Sequence, residues 1–462
     1  MALIKSISGI RGTIGGKPGE NLTPIDIVEC TAAYGKFLLD AGVPAKVVIG
    51  RDARISGEMV SSLVCQTLAS MGFEILNLGL STTPTVEMMV TEEQAGGGII
   101  ITASHNPKEW NALKFLNQKG EFISAADGEA ILKYIAEKSA NFETVNKIGK
   151  IRNVDGAIQK HIDSIFQLPL VDVDAIKEKQ FKIVVDCINS TGSISIVPML
   201  EQLGCEVISL FDDLSGDFAH NPEPLPAHLS ALSREVQDKN AHLGVSVDPD
   251  VDRLAMVCED GEMFGEEYSL VAIADYVLKH NPGNTVSNLS STRALNDVTA
   301  RYGGSYHAAA VGEVNVVVKM KEENAVIGGE GNGGIIYPEL HYGRDAMVGL
   351  ALFLSHLAHF GRSVSYLRSL YPNYWMSKNK INLTPEIDID SLLSKMEEKY
   401  KRERINKIDG LKIDFEDSWI HLRKSNTEPI IRIYAEASSQ LAADNLSEKI
   451  KSDIGEILRG RS

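Results

Sequence analysis

Lys46-Val-Val-Ile-Gly50 is a short apolar run with the character of a buried strand, followed by a polar turn and by a helical stretch from Ser56 to Ser70. Strand, turn and helix in that order build an α/β layer. The same order recurs at Phe181-Lys-Ile-Val-Val-Asp186, which leads into Asn189-Ser-Thr-Gly192 and another apolar helical segment. The repetition points to related modules, although residue identity between them is too weak to prove duplication. Upstream, Thr23 stands as N-cap, Pro24 at the first helical position and Asp26 in the first turn, which predicts a helix from Thr23 to Leu39. A third module is expected from about Glu259 into the 360s, with helices around Tyr268 to Leu278 and Asp345 to Phe360.

From about Tyr371 the chain becomes more charged, and Leu446, Ile450, Ile454 and Ile457 fall on one face of a helix. A smaller α+β closing domain is expected there. The charge-rich segments near Glu137 to Lys150 and Ser394 to Lys407 keep regularly placed apolar residues, so they read as surface helices and loops. The domain boundaries implied are 1–152, 153–258, 259–368 and 369–462.

A chain of 462 residues with 44% hydrophobic content can bury a large core, and its length suggests three or four domains. The formal charge of −16 argues against a nucleic-acid partner, which calls for clustered Lys and Arg. Any anionic ligand must meet local positive charge. Cys30, Cys65, Cys187, Cys205 and Cys258 are odd in number and widely spaced, mostly in apolar stretches, and read as buried free thiols. The opening MALIKSISGIRG has no basic segment followed by an apolar core, and no apolar run approaches the roughly 20 residues that span a bilayer. The expectation is a cytoplasmic protein without a membrane partner.

Four loops carry chemistry. Gly96-Gly-Gly-Ile-Ile-Ile-Thr-Ala-Ser-His-Asn-Pro107 is a strand that delivers Ser104 onto a sharp turn, with His105 beside it. Lys114, in Ala112-Leu-Lys-Phe-Leu116, could return its ammonium to the same place. Hydroxyl, imidazole and ammonium together can support phosphoryl transfer, yet alone Ser-His-Asn-Pro is more often a plain turn. The second loop, Asp248-Pro-Asp-Val-Asp-Arg253, lies between the strand-like Leu243 to Val247 and Leu254 to Val257. Three massed carboxylates repel one another unless a cation neutralises them, and hard oxygen donors suit magnesium or calcium. An EF-hand is rejected because its sixth position needs Gly and here is Arg253. A phosphatase with Asp248 or Asp250 as nucleophile remains a rival.

Gly328-Gly-Glu-Gly-Asn-Gly-Gly334 contains a formal G-x-G-x-x-G, but it runs into the extended Ile335-Ile-Tyr-Pro338 where a dinucleotide site needs a helix. What remains is a glycine-rich loop able to bring Glu330 and Asn332 close to sugar hydroxyls, or an ordinary turn. The fourth stretch, Arg423-Lys-Ser-Asn-Thr-Glu-Pro-Ile-Ile-Arg432, gathers hydroxyls, an amide and two guanidinium groups on a strand, loop, strand segment. That is how a phosphate is held, at about 1.5–3 kcal/mol per charge-assisted contact. Gly15-Gly-Lys17 is no P-loop, since Arg11 and Pro18 stand where Gly and Ser or Thr are required.

These four loops, in this order, resemble the α-D-phosphohexomutase superfamily, which includes phosphoglucomutase, phosphomannomutase and phosphoglucosamine mutase. The resemblance spans the whole chain. It implies four domains around a central cleft: three similar α/β domains with mixed sheets and a smaller α+β C-terminal domain, one loop from each. It further implies that Ser104 carries a phosphoryl group and that Asp248, Asp250 and Asp252, with Ser104, hold Mg²⁺. Arg253 would support the phosphoserine, and Arg11 (in Ser8-Gly-Ile-Arg-Gly12), His105 and Lys114 would line the reaction centre. Glu330 and Asn332 would read the sugar. Arg423, Ser425, Asn426, Thr427 and Arg432 would hold the non-reacting phosphate.

The implied activity interconverts hexose 6-phosphate and hexose 1-phosphate through a 1,6-bisphosphate, which would also prime the dephosphorylated protein. The base implied is Lys114 or His105. The implied partners are hexose phosphates, with a monomer or homodimer as the assembly. Many relatives have Ser and then His where this chain has Asn332 and Gly334, so hydroxyl recognition by that His does not carry over. The Ala-Ser-His-Asn-Pro and Gly-Glu-Gly-Asn-Gly-Gly segments look most like phosphoglucosamine mutases and broad archaeal-type phosphomutases. A sugar-phosphate-binding protein without catalysis is the non-enzyme alternative.

Overall fold

The computed structural model describes residues 3–6, 9–382, 387–424 and 430–460. Ser8, Ser425, Asn426 and Thr427 lie outside the described residues. The chain forms two compact units, Met1–His280 with Asn332–Arg368 and Asn281–Gly331 with Ser369–Ser462.

The first unit holds two mixed sheets. In the larger, Lys46–Arg51 runs parallel to Glu74–Leu80 on one side and Gly97–Ile101 on the other, and Trp110–Leu116 returns antiparallel to Gly97–Ile101. In the smaller, Lys182–Asp186 is flanked by parallel Glu206–Leu210 and Leu243–Val247, and Leu254–Cys258 returns antiparallel. The arrangement of these four strands is the same in both: the first lies between the second and the third, and the fourth returns antiparallel beside the third. The modules read from sequence as related are thus alike in topology. The second unit repeats the parallel part, with Asn284–Asn288 between Tyr306–Ala309 and Ala325–Glu330.

The helices begin where local chemistry stops their backbone donors from being orphaned. Thr23 and Asp26 form a reciprocal capping box on Pro24–Asp40, worth about 1 kcal/mol. That helix buries Ile27, Tyr34 and Leu38 against the larger sheet. Tyr34 stacks on Phe115 at 4.6 Å and donates its hydroxyl to the Leu116 carbonyl at 2.7 Å. A Cβ on Gly97 would collide with that hydroxyl, so glycine sets how closely helix and sheet approach. Val48 and Ile100 are fully buried on the other face. Each such side chain contributes about 1.5–3 kcal/mol.

The closing segment is an antiparallel sheet in the order Trp375–Asn382, Ile430–Ala437, Trp419–Lys424, Leu411–Asp414, Arg404–Asn406. Gln440–Leu458 packs Ile450, Ile454 and Ile457 into its core, as their spacing predicts, with Leu446 partly buried beside them. Two readings need correction. Gly328 and Glu330 are not loop, because the ladder pairing Val286 with Gly328 carries the strand through Glu330. Cys205 is only half-buried, at the foot of a strand, whereas the other four cysteines are buried, and all five are free. Among the described residues no helix is long and apolar enough to cross a membrane.

Candidate active site

The strand Gly97–Ile101 ends at a turn in which Ser104 takes φ +49°, a left-handed conformation that side chains other than glycine rarely adopt. Strain of this kind costs about 1–3 kcal/mol and persists only where neighbours hold it. They do so here. The Ser104 amide donates to Thr102 Oγ1 at 2.9 Å, and the Asn106 amide closes the turn on the Ala103 carbonyl at 3.0 Å. Beneath lies Arg54, fully buried and paired with Asp52 at 3.0 Å. Its guanidinium donates to the carbonyls of Pro107 (2.7 Å), Trp110 (2.9 Å), Asn106 (2.7 Å) and Ser104.

The acidic loop hangs between Leu243–Val247 and Leu254–Cys258, an antiparallel pair. Asp248 Oδ1 accepts the amides of Asp252 and Arg253, both at 3.1 Å, and so folds the loop back on itself. Val251 at its tip sits at φ +62°, a second strained residue. Ser104 Oγ donates to Asp248 Oδ2 at 2.6 Å, joining two motifs 144 residues apart. Asp250 Oδ2 accepts from Thr83 Oγ1 at 2.6 Å and from Lys114 Nζ at 2.8 Å. Asp252 Oδ2 accepts from Arg344 at 2.7 Å.

All three aspartates are fully buried, and their ligand atoms lie within 4.8 Å of one another. After these contacts Asp250 and Asp252 each keep one oxygen for a cation, and Asp248 keeps the one that meets Ser104. Asp250 Oδ1 and Asp252 Oδ1 are buried without a hydrogen-bond partner, and Asp248 Oδ2 faces only the Ser104 hydroxyl. A buried carboxylate oxygen without a donor carries a desolvation cost that a hard cation removes. The residues therefore fit a divalent metal held by oxygen.

The surroundings shift each group in a definite direction. Burial, with repulsion from Asp252 and Asp250, pushes Asp248 well above the usual carboxylate range. Burial would also raise Asp250, but Lys114 and Thr83 outweigh it and hold the group below that range. Burial would lower Lys114, yet Asp250 and Asp252 keep its ammonium above its ordinary value. Burial, then Arg253 and Arg344, push the His105 imidazole down to about 2, so it stands neutral, with Nδ1 at 3.2 Å from Ser104 Oγ.

Ser104, His105, Lys114, Asp248, Asp250, Asp252 and Arg253 are thus brought together in the first unit. Arg253 reaches towards Asp252 Oδ1 at 3.9 Å and Glu223 at 3.5 Å. Arg11 lies on Gly9–Thr13 opposite Ala112, hence on the Lys114 face of the sheet. Asn332 Oδ1 accepts the Gly334 amide at 3.2 Å.

In the second unit Glu330 is buried at a strand end, where Oε1 accepts from Asn288 (2.8 Å) and the Gly312 amide (3.0 Å). Arg423 and Arg432 are direct cross-strand partners, and Arg423 pairs with Asp409 at 2.8 Å. Sequence reasoning missed Arg54, Asp52, Thr83 and Arg344. The cluster Arg51-Asp-Ala-Arg54 after a buried strand was the available signal for the first two.

Four domain families match in succession: phosphoglucomutase/phosphomannomutase domain I over residues 3–142, domain II over 159–261, domain III over 266–374 and the C-terminal domain over 387–452. The chain belongs to the phosphoglucomutase/phosphomannomutase family. It is similar to the phosphoglucomutase/phosphomannomutase of Thermococcus kodakarensis, 33% identical over 97% of this chain and 99% of that protein. It is also similar to the probable phosphoglucosamine mutase of Methanopyrus kandleri, 31% identical over 96% and 95%. A family protein of known structure from Burkholderia thailandensis superposes with a TM-score of 0.86 at 25% identity, covering 99% of this chain and 97% of that one. Membership makes the chain an enzyme of the phosphohexomutase class, and the converging Ser104 and aspartate loops lie within the matched domains I and II.

Proposed function

We propose that the protein interconverts glucosamine 6-phosphate and glucosamine 1-phosphate through a phosphoserine at Ser104 and a 1,6-bisphosphate. The observation that carries this reading is the 2.6 Å contact of the Ser104 hydroxyl with Asp248, inside a buried carboxylate triplet in which Asp250 and Asp252 each keep an oxygen without a hydrogen-bond partner. A hydroxyl so placed suits a phosphoryl group whose charge must be neutralised. Asp248, Asp250, Asp252 and Ser104 would hold Mg²⁺, which when bound withdraws charge from the phosphoryl oxygens.

The chain's own residues do the rest. Lys114, kept as an ammonium, stabilises charge on the transferring group. The proton of the attacking sugar hydroxyl passes to Ser104 Oγ as the bond from phosphorus to that oxygen breaks and the bond to the sugar oxygen forms, with the neutral His105 ring 3.2 Å from Ser104 Oγ beside the path. Arg253 and Arg11 complete the cationic surround. Arg423 and Arg432, with Ser425, Asn426 and Thr427, hold the distal phosphate, and Glu330 with Asn332 reads the sugar.

The glucosamine preference is supported by the Gly-Glu-Gly-Asn-Gly-Gly segment and by the name of the Methanopyrus relative. The Thermococcus relative's name favours the second reading, a broad glucose and mannose phosphomutase. Turnover of glucosamine 6-phosphate, glucose 1-phosphate and mannose 1-phosphate in one preparation separates them. The proposal expects glucosamine phosphate to lead in kcat/KM and Ser104→Ala to abolish all three activities. Full activity in that variant would overturn it.

A further inference from the structure

A second group of metal-ligating side chains lies in the first unit, apart from the aspartate triplet. His161, on the helix Ala157–Phe166, His341 and Asp345 bring their ligand atoms within 4.8 Å of one another. His161 Nε2 is 2.9 Å, and His341 Nε2 3.3 Å, from Asp345 Oδ2. His161 and Asp345 are buried and His341 nearly so. Ligands about 2.0–2.1 Å from a tetrahedral ion stand about 3.3 Å apart, close to these separations.

What surrounds the three groups is the orienting shell that ligating side chains require. His161 turns Nδ1 to Thr85 Oγ1 at 3.0 Å, which leaves Nε2 facing Asp345. His341 turns Nδ1 to the buried Glu87 Oε2 at 3.5 Å, a carboxylate behind an imidazole. Asp345 Oδ1 is fixed by the amides of Met347 and Val348 at the start of Ala346–Phe360, leaving Oδ2 for the histidines. Gly343 is part of the construction, because a Cβ there would collide with both Glu87 and His341. Two imidazole nitrogens and a carboxylate oxygen thus converge at separations that one cation can bridge.

We infer that His161, His341 and Asp345 form a structural site for a transition-metal ion of the zinc class, with Thr85 and Glu87 as orienting partners. Two imidazoles and one carboxylate select such an ion over magnesium. The site would brace the catalytic loops from behind, since Arg344, next to Asp345, holds Asp252, and Thr83, on the helix that carries Glu87, holds Asp250.

The test uses zinc alone. Full-length native protein is stripped with chelator, incubated with Zn²⁺, passed through a desalting column and analysed for metal; Co²⁺ replaces Zn²⁺ in a parallel sample to report geometry by its visible absorption. Native protein and Asp252→Asn should each retain about one equivalent with a tetrahedral cobalt spectrum, and His341→Gln should retain at least about tenfold less. No uptake by native protein would overturn the proposal, whatever the variants do. So would equal uptake by His341→Gln, or loss confined to Asp252→Asn, which would put the ion in the aspartate triplet. The readout is independent of mutase activity.

Discussion

Replacing Arg54 with Lys keeps one positive charge in the same buried place and removes the planar fork, so it isolates what the fork does for Ser104. The guanidinium makes five contacts: Nε to Asp52, and the two terminal nitrogens to the carbonyls of Pro107, Trp110, Asn106 and Ser104. A lysine ammonium has three donors radiating from one atom. At least two of the five contacts that hold the serine turn must be lost. At about 1.5–3 kcal/mol for each hydrogen bond to a charged group, the turn loses at least about 3 kcal/mol of support, more than a hundredfold in the population of the strained conformer. The assay is a steady-state comparison with native enzyme under saturating Mg²⁺ and primer. The kcat should fall about a hundredfold while KM for the sugar phosphate moves little, because the misplaced group is the proposed phosphoryl carrier. A variant with kcat within about twofold of native would refute the reasoning.

Asp252→Asn removes one of the open carboxylate oxygens, so the Mg²⁺ concentration for half-maximal activity should rise at least about tenfold in a metal titration; an unchanged midpoint would contradict the assigned ligand set. His220 Nε2 lies 2.8 Å from the buried Asp186, and although burial opposes protonation, this partner carries the imidazole pKa above its usual 6.5. A raised folded-state pKa contributes stability that is fully present below the unfolded value and is lost as pH rises through the folded one. The gap in thermal midpoint between native protein and His220→Asn should therefore be widest below about pH 6 and close towards pH 9, and a gap that grew with pH would contradict the pairing. Ile454→Ala empties a fully buried site in the closing segment and should cost about 2–5 kcal/mol by urea denaturation; a loss below about 1 kcal/mol would show that the helix does not pack as described.

What could be read from the chain alone was whatever local chemistry dictates. Thr23, Pro24 and Asp26 announce a helix start because the capping bonds are made within one turn. Lys46–Arg51 and Lys182–Asp186 announce buried parallel strands because both faces must be apolar. Ser104 and the aspartate loop were visible as odd chemistry, since three acids between apolar strands make no sense without a counter-charge. Their meeting was legible only through the resemblance, because nothing in either segment encodes a partner 144 residues away. Arg54, Thr83 and Arg344 were missed for the same reason: each is unremarkable among its sequence neighbours and acquires its role only from carbonyls and carboxylates that the tertiary fold presents to it. The reading of Gly328 and Glu330 as loop failed differently, because glycine frequency signals a turn only where no neighbouring strand supplies a ladder.

The proposed mechanism stands on Ser104 as the phosphoryl carrier. Incubating the protein with glucose 1,6-bisphosphate labelled in its phosphates, and mapping the label by mass spectrometry after proteolysis, tests this most directly. The prediction is a phosphoserine at position 104 and no label elsewhere. An acyl phosphate on Asp248 or Asp250, or a protein that takes up no label, would contradict it.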